Sequence, residues 1–177
     1  MPYAQATEVV KTPAEEQMER LGFREGGDVD ETLLRMLEIN KILQDKGYSK
    51  EARAAELGNI SVETGNTFDY QQKQINGNGY GLYQFDFQKP YYEKYILENK
   101  LEDSPLAQIN FKEEVLSGND KVMPMNDKER KQLVDSLSSS KDVDSLAKMF
   151  SDFYLKPGKP HLDRRVSEAN RIYNIID

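Results

Sequence analysis

The stretch from Glu56 to Phe87, ELGNISVETGNTFDYQQKQINGNGYGLYQFDF, decides the fold that we expect for this chain. Its first part continues an Ala-rich helical pattern that stops at Glu63, just before Thr64-Gly65-Asn66. A glycine-rich segment, GNGYGLYQ, follows, and its alternation is typical of a turn that leads into a short strand. A carboxylate at a helix end that faces such a strand indicates a cleft.

The glycine-rich segment also has residues suited to binding a flat ligand. Gly77, Gly79 and Gly81 allow unusual backbone dihedrals and let another surface approach closely. Tyr80, Tyr83 and Phe85 lie in or just after this segment and offer flat apolar faces. Sugars bind well to such faces, so the segment favours a carbohydrate ligand.

Helical patterns account for most of the remaining chain. Capping residues, prolines and apolar spacing predict helices from Asp28 to Lys46, from the Ser49 cap to Glu63, from Pro90 onward, from Pro105 to Leu116, from Asn126 or Asp127 to about Leu137, from Val143 to Tyr154, and from about Leu162 to Ile175. Between Thr67 and Phe87 we expect a small β-hairpin or a three-stranded element beside the cleft. The predicted fold class is α+β, mainly α.

The N-terminal 27 residues differ from the rest of the chain. They contain two prolines, end in Gly-Gly and lack sustained periodicity, although a short helix from about Ala14 to Leu21 is compatible with them. The segment is either a disordered arm or a docking peptide that orders on binding. We therefore expect an arm at residues 1–27 and one folded domain at residues 28–177.

Composition excludes several classes of protein. The net charge of −7, with basic residues interleaved among acidic ones, argues against nucleic-acid binding. No stretch is long and apolar enough for a transmembrane helix, and no basic and apolar leader is recognisable at the N-terminus. Cysteine is absent, so neither disulfides nor thiolate metal sites are expected, and no metal or organic cofactor is implied.

The motifs of the central stretch resemble a known family. Glu63-Thr64-Gly65 followed by Gly79-Tyr80-Gly81-Leu82-Tyr83-Gln84 is similar to the E-S-G and G-x-G-L-x-Q motifs of phage tail lysozymes, and more distantly of goose-type lysozymes and lytic transglycosylases. The Ala-rich helix before Glu63, the middle helix around Gln108, and the closing segment from Phe150 through Pro157-Gly158 to Arg165 and Ala169 follow in the same order. The resemblance covers about Val29 to Tyr173.

This resemblance implies a lysozyme-like helical domain that cleaves the β-1,4 bond between MurNAc and GlcNAc in peptidoglycan. Glu63 would be the general acid, which must stay protonated near neutral pH in a partly apolar pocket. The alternative for Glu63 is a residue that merely ends a helix, where the helix dipole would raise its pKa in any case.

The other site residues are less uniform. By resemblance Asp86 would hold the attacking water, Gln84 would bind the sugar or the backbone near Glu63, and Tyr83 would line the cleft; Thr64 replaces the usual Ser. Ile75 stands where related enzymes place a further Asp. Asp69 lies on the same loop and either compensates as a catalytic carboxylate or forms an Asx turn. The expected catalytic residues are Glu63, Asp86 and Asp69, and the expected substrate-binding residues are Thr64, Tyr80, Tyr83 and Gln84.

Three functions remain open from the sequence. The chain is a muramidase, a lytic transglycosylase that forms 1,6-anhydro-MurNAc, or an inactive structural or plug protein of a virion with a lysozyme-like fold. A diffusing enzyme that attacks an anionic wall gains from positive charge, so an acidic one is better explained if a phage tail carries it to the wall. The expected partners are peptidoglycan and other tail proteins bound through the arm, with no membrane.

Overall fold

The helical content of the fold follows the capping and spacing signals closely. The computed structural model of the protein describes residues 31–177, so the arm, the helix start at Asp28 and the short helix near Ala14 lie outside the described residues. Within residues 31–177 the chain forms seven α-helices and one π-helical turn: α1 (Glu31–Asp45), α2 (Lys50–Glu63), α3 (Lys89–Glu98), α4 (Pro105–Leu116), α5 (Asp127–Ser139), α6 (Val143–Met149), the π-helix (Phe150–Leu155) and α7 (Leu162–Tyr173). The expectation of a mainly helical, lysozyme-like domain is confirmed.

The helix boundaries are set by side chains that satisfy the free backbone groups. The Ser49 hydroxyl accepts a hydrogen bond from the Ala52 amide at the start of α2. Ser104 does the same for the Ala107 amide at the start of α4. Gly47 ends the first helical segment with a φ of 84°, a left-handed conformation that favours glycine. These local signals explain why the sequence predicts the helix ends well.

Helix α2 is the centre of the fold, and its small residues allow the closest helix contact. Its Ala and Leu side chains are fully buried, and the helix packs chiefly against α7 and α6. Gly58 lies so close to α7 that a Cβ atom built on it would be 2.5 Å from the Ala169 amide nitrogen. Because that neighbour is backbone, a side chain at Gly58 would have to push the two helices apart.

The β-hairpin or three-stranded element predicted between residues 67 and 87 is wrong. The described residues contain no strand, and one isolated antiparallel bridge joins Lys73 to Tyr80. The reason is the backbone at Gly81 and Gln84, whose φ angles of 79° and 47° lie in the left-handed region. An extended strand cannot continue through such residues, so the chain forms consecutive turns instead.

A side chain from α4 holds these turns in place. Gln108 accepts a hydrogen bond from the Leu82 amide at 2.8 Å and donates to the Tyr70 carbonyl at 2.8 Å and to Asp103 at 3.0 Å. A Cβ atom on Gly81 would lie 2.4 Å from the Gln108 oxygen, so glycine is needed there for this contact. The fold therefore fixes a turn segment (residues 64–88) through a buried amide rather than through a sheet. Within residues 31–177, no helix has the length and apolar character needed to cross a membrane.

We predict that Gly58→Ala destabilises the protein, although Ala is normally the better helix former by about 1 kcal/mol. The added methyl group would overlap the α7 backbone, and such overpacking costs about 1–3 kcal/mol. Urea unfolding monitored by circular dichroism measures the change. Gly158→Ala is the matched control, since a Cβ there meets nothing within 4 Å. A Gly58→Ala protein as stable as the wild type would contradict the packing described here.

Candidate functional site

A cleft of about 640 Å³ lies where the end of α2 meets the turn segment and the residues that lead into α7. The residues that line it are Val62, Glu63, Gln74, Tyr83, Gln84, Asp86, Phe87, Gln88, Leu155, Lys156, Pro157, Gly158, Lys159, His161 and Arg165. A second cavity, of about 290 Å³, lies between the end of α1, α4 and α5 and contains none of the predicted site residues. The larger cleft is therefore the candidate active site.

Glu63 lies at the mouth of this cleft as the last residue of α2. Its side chain is 13% exposed, and its Oε1 atom accepts a hydrogen bond of 2.6 Å from Nη2 of Arg165. Burial raises the pKa of Glu63 above its ordinary value, while the charge and hydrogen bond of Arg165 and the charge of His161 act in the opposite direction. Burial is the largest of these effects, so the carboxyl holds its proton to higher pH than a solvated Glu.

Arg165 is the partner of Glu63, a role that the sequence analysis did not predict. Its side chain is 2% exposed, and besides Glu63 it donates to the Pro160 carbonyl at 2.6 Å and to the Asn59 side chain at 3.1 Å. A usable signal exists in the sequence, because Arg165, Ala169 and Ile172 share one face of α7 and the last two are apolar. A cation on such a face is buried, and a buried cation needs an acidic partner.

The structure separates the two candidate second carboxylates. Asp86 is exposed and lines the same cleft as Glu63. Asp69 does not line the cleft, and its Oδ1 atom accepts a hydrogen bond of 2.9 Å from the Gln71 amide, which is the geometry of an Asx turn. The arrangement brings Asp86, and not Asp69, to the site of Glu63.

Three of the predicted substrate-binding residues are occupied by contacts within the protein. The buried Thr64 hydroxyl donates to the Ile60 carbonyl at 2.8 Å. The Gln84 amide lines the cleft, but its nitrogen donates to backbone carbonyls of the turn segment at 3.1 and 2.9 Å. The Tyr80 hydroxyl donates to Asp103, outside the cleft lining. These side chains fix the backbone that forms the cleft wall.

Tyr83 lines the cleft with a small part of its ring and is otherwise in the core. It is 2% exposed, and its hydroxyl donates to Oε1 of Glu56 at 2.6 Å. Lys112 donates to both oxygens of Glu56 at 2.8 Å and reaches Glu113 at 2.9 Å. Glu56 and Lys112 are fully buried, so their mutual attraction and hydrogen bonds must compensate for the hydration that each charge loses. The sequence showed both charges, but no local pattern in it pairs them.

Phe87 lines the cleft and is far more exposed than Tyr83. It is 53% exposed and lines the wall formed by the turn segment, on the same side as Asp86. The sequence predicted sugar-binding faces at Tyr80, Tyr83 and Phe85 and gave Phe87 no role, but Phe85 is fully buried in the core. The sequence could have indicated Phe87, because it directly follows Asp86 near the end of the turn segment.

The two sides of the cleft differ in charge. Residues 156–165 contribute Lys156, Lys159 and Arg165, whereas the turn segment contributes one charged residue, Asp86. Residues 31–177 contain no cluster of three or more His, Cys, Asp and Glu side chains that could hold a metal ion. Arg165 pairs with Glu63 and Lys156 pairs with Glu129, so the charge of this cationic wall (residues 156–165) is partly compensated within the protein.

Comparison with known proteins identifies the family. A family model of phage tail lysozymes matches residues 35–176, which include every lining residue of the cleft. The chain belongs to the phage tail lysozyme family. A search of curated proteins gives no match. Membership in the phage tail lysozyme family supports a role in peptidoglycan degradation and agrees with the motifs around Glu63.

We predict that Tyr83→Phe changes the stability of the protein and that Phe87→Ala changes its KM. Tyr83→Phe removes the hydroxyl that donates to buried Glu56, so it lowers the free energy of unfolding by about 1–3 kcal/mol and leaves KM for peptidoglycan fragments close to the wild-type value. Phe87→Ala removes an exposed ring, so it raises KM about tenfold with little change in stability. Urea unfolding and steady-state kinetics measure both. A raised KM in Tyr83→Phe would instead support direct sugar binding by Tyr83.

Proposed function

We propose that this phage tail lysozyme is a muramidase that cleaves the MurNAc to GlcNAc linkage, with Glu63 as general acid. The observation that carries the proposal is the carboxyl of Glu63, nearly buried at the end of α2 and yet bordering a cleft large enough for sugar rings. Glycoside cleavage needs such a group, because the leaving oxygen must receive a proton as the bond breaks.

The proposed reaction begins when the glycan lies along the cleft between Phe87 and the cationic wall. The Glu63 carboxyl transfers its proton to the glycosidic oxygen, and the electron pair of the bond between C1 and that oxygen goes to the departing sugar. Positive charge then develops on the C1 ring. The Asp86 carboxylate in the same cleft opposes that charge and, as a general base, takes a proton from the water that attacks C1.

Glu63→Gln tests the assignment of the acid. Glutamine has the same shape but no proton to donate, so we expect release of soluble muropeptides from purified sacculi to fall at least a hundredfold. Glu98→Gln is the matched control, because Glu98 also ends an α-helix but is exposed on α3. Circular dichroism must show that both variants are folded.

The outcome also separates the enzyme from the non-enzymatic alternative. If the wild-type protein clears no sacculi, an inactive virion structural or plug protein with a lysozyme-like fold is the better description. If Glu63→Gln retains full activity, the proposal as made here, with Glu63 as general acid, is wrong.

The reaction type depends on the second carboxylate. We favour hydrolysis, because Asp86 lines the cleft with Glu63; a lytic transglycosylase would use the muramic 6-hydroxyl and needs no base-held water. Mass spectrometry distinguishes the products, since 1,6-anhydro-MurNAc is lighter than reducing-end MurNAc by one water.

Under hydrolysis, we predict that Asp86→Asn lowers kcat about a hundredfold or more, whereas Asp69→Asn has little effect, because Asp69 lies outside the cleft lining. Anhydro products together with a fully active Asp86→Asn variant would establish transglycosylation. A large loss in Asp69→Asn alone would assign the second carboxylate to Asp69.

We further propose that the protein is carried in the virion and that residues 1–27 are its tether to other tail proteins. The family and the acidic charge of −7 support this, since tethering removes the need for electrostatic attraction to the wall. Deleting residues 2–27 should leave sacculus digestion unchanged and remove the protein from purified phage particles, as judged by immunoblotting. Packaging of the shortened protein would show that the tether lies elsewhere.

A further inference from the structure

Each of the three nitrogen atoms of the Arg165 guanidinium donates a hydrogen bond to a different part of the fold. Nε donates to the Pro160 carbonyl at 2.6 Å, Nη1 to Asn59 Oδ1 at 3.1 Å, and Nη2 to Glu63 Oε1 at 2.6 Å. Because the guanidinium is planar and its donors are rigidly arranged, three acceptors at fixed places restrict its orientation. The position of the Arg165 fork is therefore fixed from three directions.

Asn59, one of those three acceptors, is itself held in one orientation. Its Nδ2 donates to the Ala55 carbonyl of α2 at 2.9 Å and to the Ala147 carbonyl of α6 at 3.0 Å. Both bonds require the amide nitrogen, so the amide oxygen is left to face Arg165. A fully buried amide thus supports a fully buried guanidinium.

The two oxygens of Glu63 are consequently in different environments. Oε1 accepts the bond from Arg165, whereas Oε2 accepts no hydrogen bond from any residue in the described range. A proton on Oε1 would face the N–H group of Arg165, donor against donor. A proton on Oε2 meets no such conflict.

We propose that Arg165 is the positioning residue of the general acid: by holding Oε1 of Glu63 it assigns the transferable proton to Oε2 and fixes the carboxyl for delivery to the glycosidic oxygen. The inference rests on the proposed function of Glu63. In the protonated acid, Oε1 is the carbonyl oxygen and still accepts from Arg165. The bond to Arg165 therefore persists while the proton leaves Oε2, and the carboxyl need not rotate.

Arg165 also sets how readily that proton is lost. Its charge favours the carboxylate, which opposes the effect of burial on the pKa of Glu63. The other charged or titratable groups at the cleft are His161, Lys156 and Lys159 on the side of α7 and Asp86 on the turn segment. Arg165 is the one among them that hydrogen-bonds to Glu63, so its removal should have the largest effect.

The experiment compares Arg165→Met, Arg165→Lys and Asn59→Ala in the full-length protein, with Arg171→Met as control. Arg171 is also on α7 but is exposed and pairs with Glu168. The pKa of Glu63 is measured by NMR on protein with ¹³C-labelled Glu carboxyls, assigned with Glu63→Gln. The pH profile of kcat is measured on sacculi. The NMR titration does not depend on activity, so it tests the proposal even if the wild type proves inactive.

For Arg165→Met we expect the pKa of Glu63 to rise by about 1–3 pH units, and the alkaline limb of the kcat profile to move up with it. At the optimum, kcat should fall roughly 10- to 100-fold with KM unchanged, because the carboxyl is no longer held in place. Arg165→Lys keeps the charge but not the planar guanidinium, and Asn59→Ala keeps Arg165 but removes one of its acceptors, so both should lower kcat with a pKa near the wild-type value. If Arg165→Met does not fold, these two variants carry the test through kcat: a kcat equal to that of Arg171→Met in both would overturn the proposal.

A merely structural role for Arg165 would give a different result. Arg165→Met would then unfold at lower urea concentration, while its Glu63 pKa, its kcat and the shape of its pH profile matched those of Arg171→Met. That result would overturn the proposal. If the wild-type protein digests no sacculi but Arg165→Met shows the expected shift in the Glu63 pKa, the proposed function is overturned. The link between Arg165 and the Glu63 proton is then retained.

Discussion

The close approach of α2 and α7 at Gly58 and Ala169 is the constraint on which the site depends. Backbone contact at this point leaves no room for a side chain, so the distance between the two helices is fixed by atoms that cannot adapt. Glu63 lies further along α2, and Arg165 lies one turn before Ala169 on α7. Their hydrogen bond of 2.6 Å is a consequence of this packing, because wider spacing would separate the buried ions.

Two glutamates of helix α2, Glu56 and Glu63, have different surroundings and therefore different properties. Both oxygens of Glu56 accept from Lys112, and Tyr83 adds a third hydrogen bond, so this carboxylate is enclosed by the protein. Among residues 31–177, Glu63 has one donor, Arg165, and it borders the cleft. Breaking an enclosed pair costs about 3–5 kcal/mol, which suits a structural role for Glu56. A carboxyl with one free oxygen suits proton transfer.

The sequence predicted the helix boundaries well, because they depend on residues that are close together in the chain. Ser49 and Ser104 cap helices through contacts three residues away, and such contacts are visible in a local pattern. The turn segment was mistaken for strands because its apolar alternation was visible, while the left-handed backbone of Gln84 was not. Glu63 and Asp86, which belong to the family motifs, line one cleft. Arg165 and Lys112 were missed because their partners are distant in sequence and are brought near only by helix packing.

The cleft combines parts of the chain that are made at different times. Glu63 and Arg165 are separated by 102 positions, and the cationic wall belongs to the later part. While the chain leaves the ribosome, α2 and the turn segment emerge well before α7 is available. During that interval Glu63 lacks its partner Arg165, and the cleft lacks one side. A nascent or truncated chain therefore has no complete cleft, and its lining residues come together only in the finished molecule.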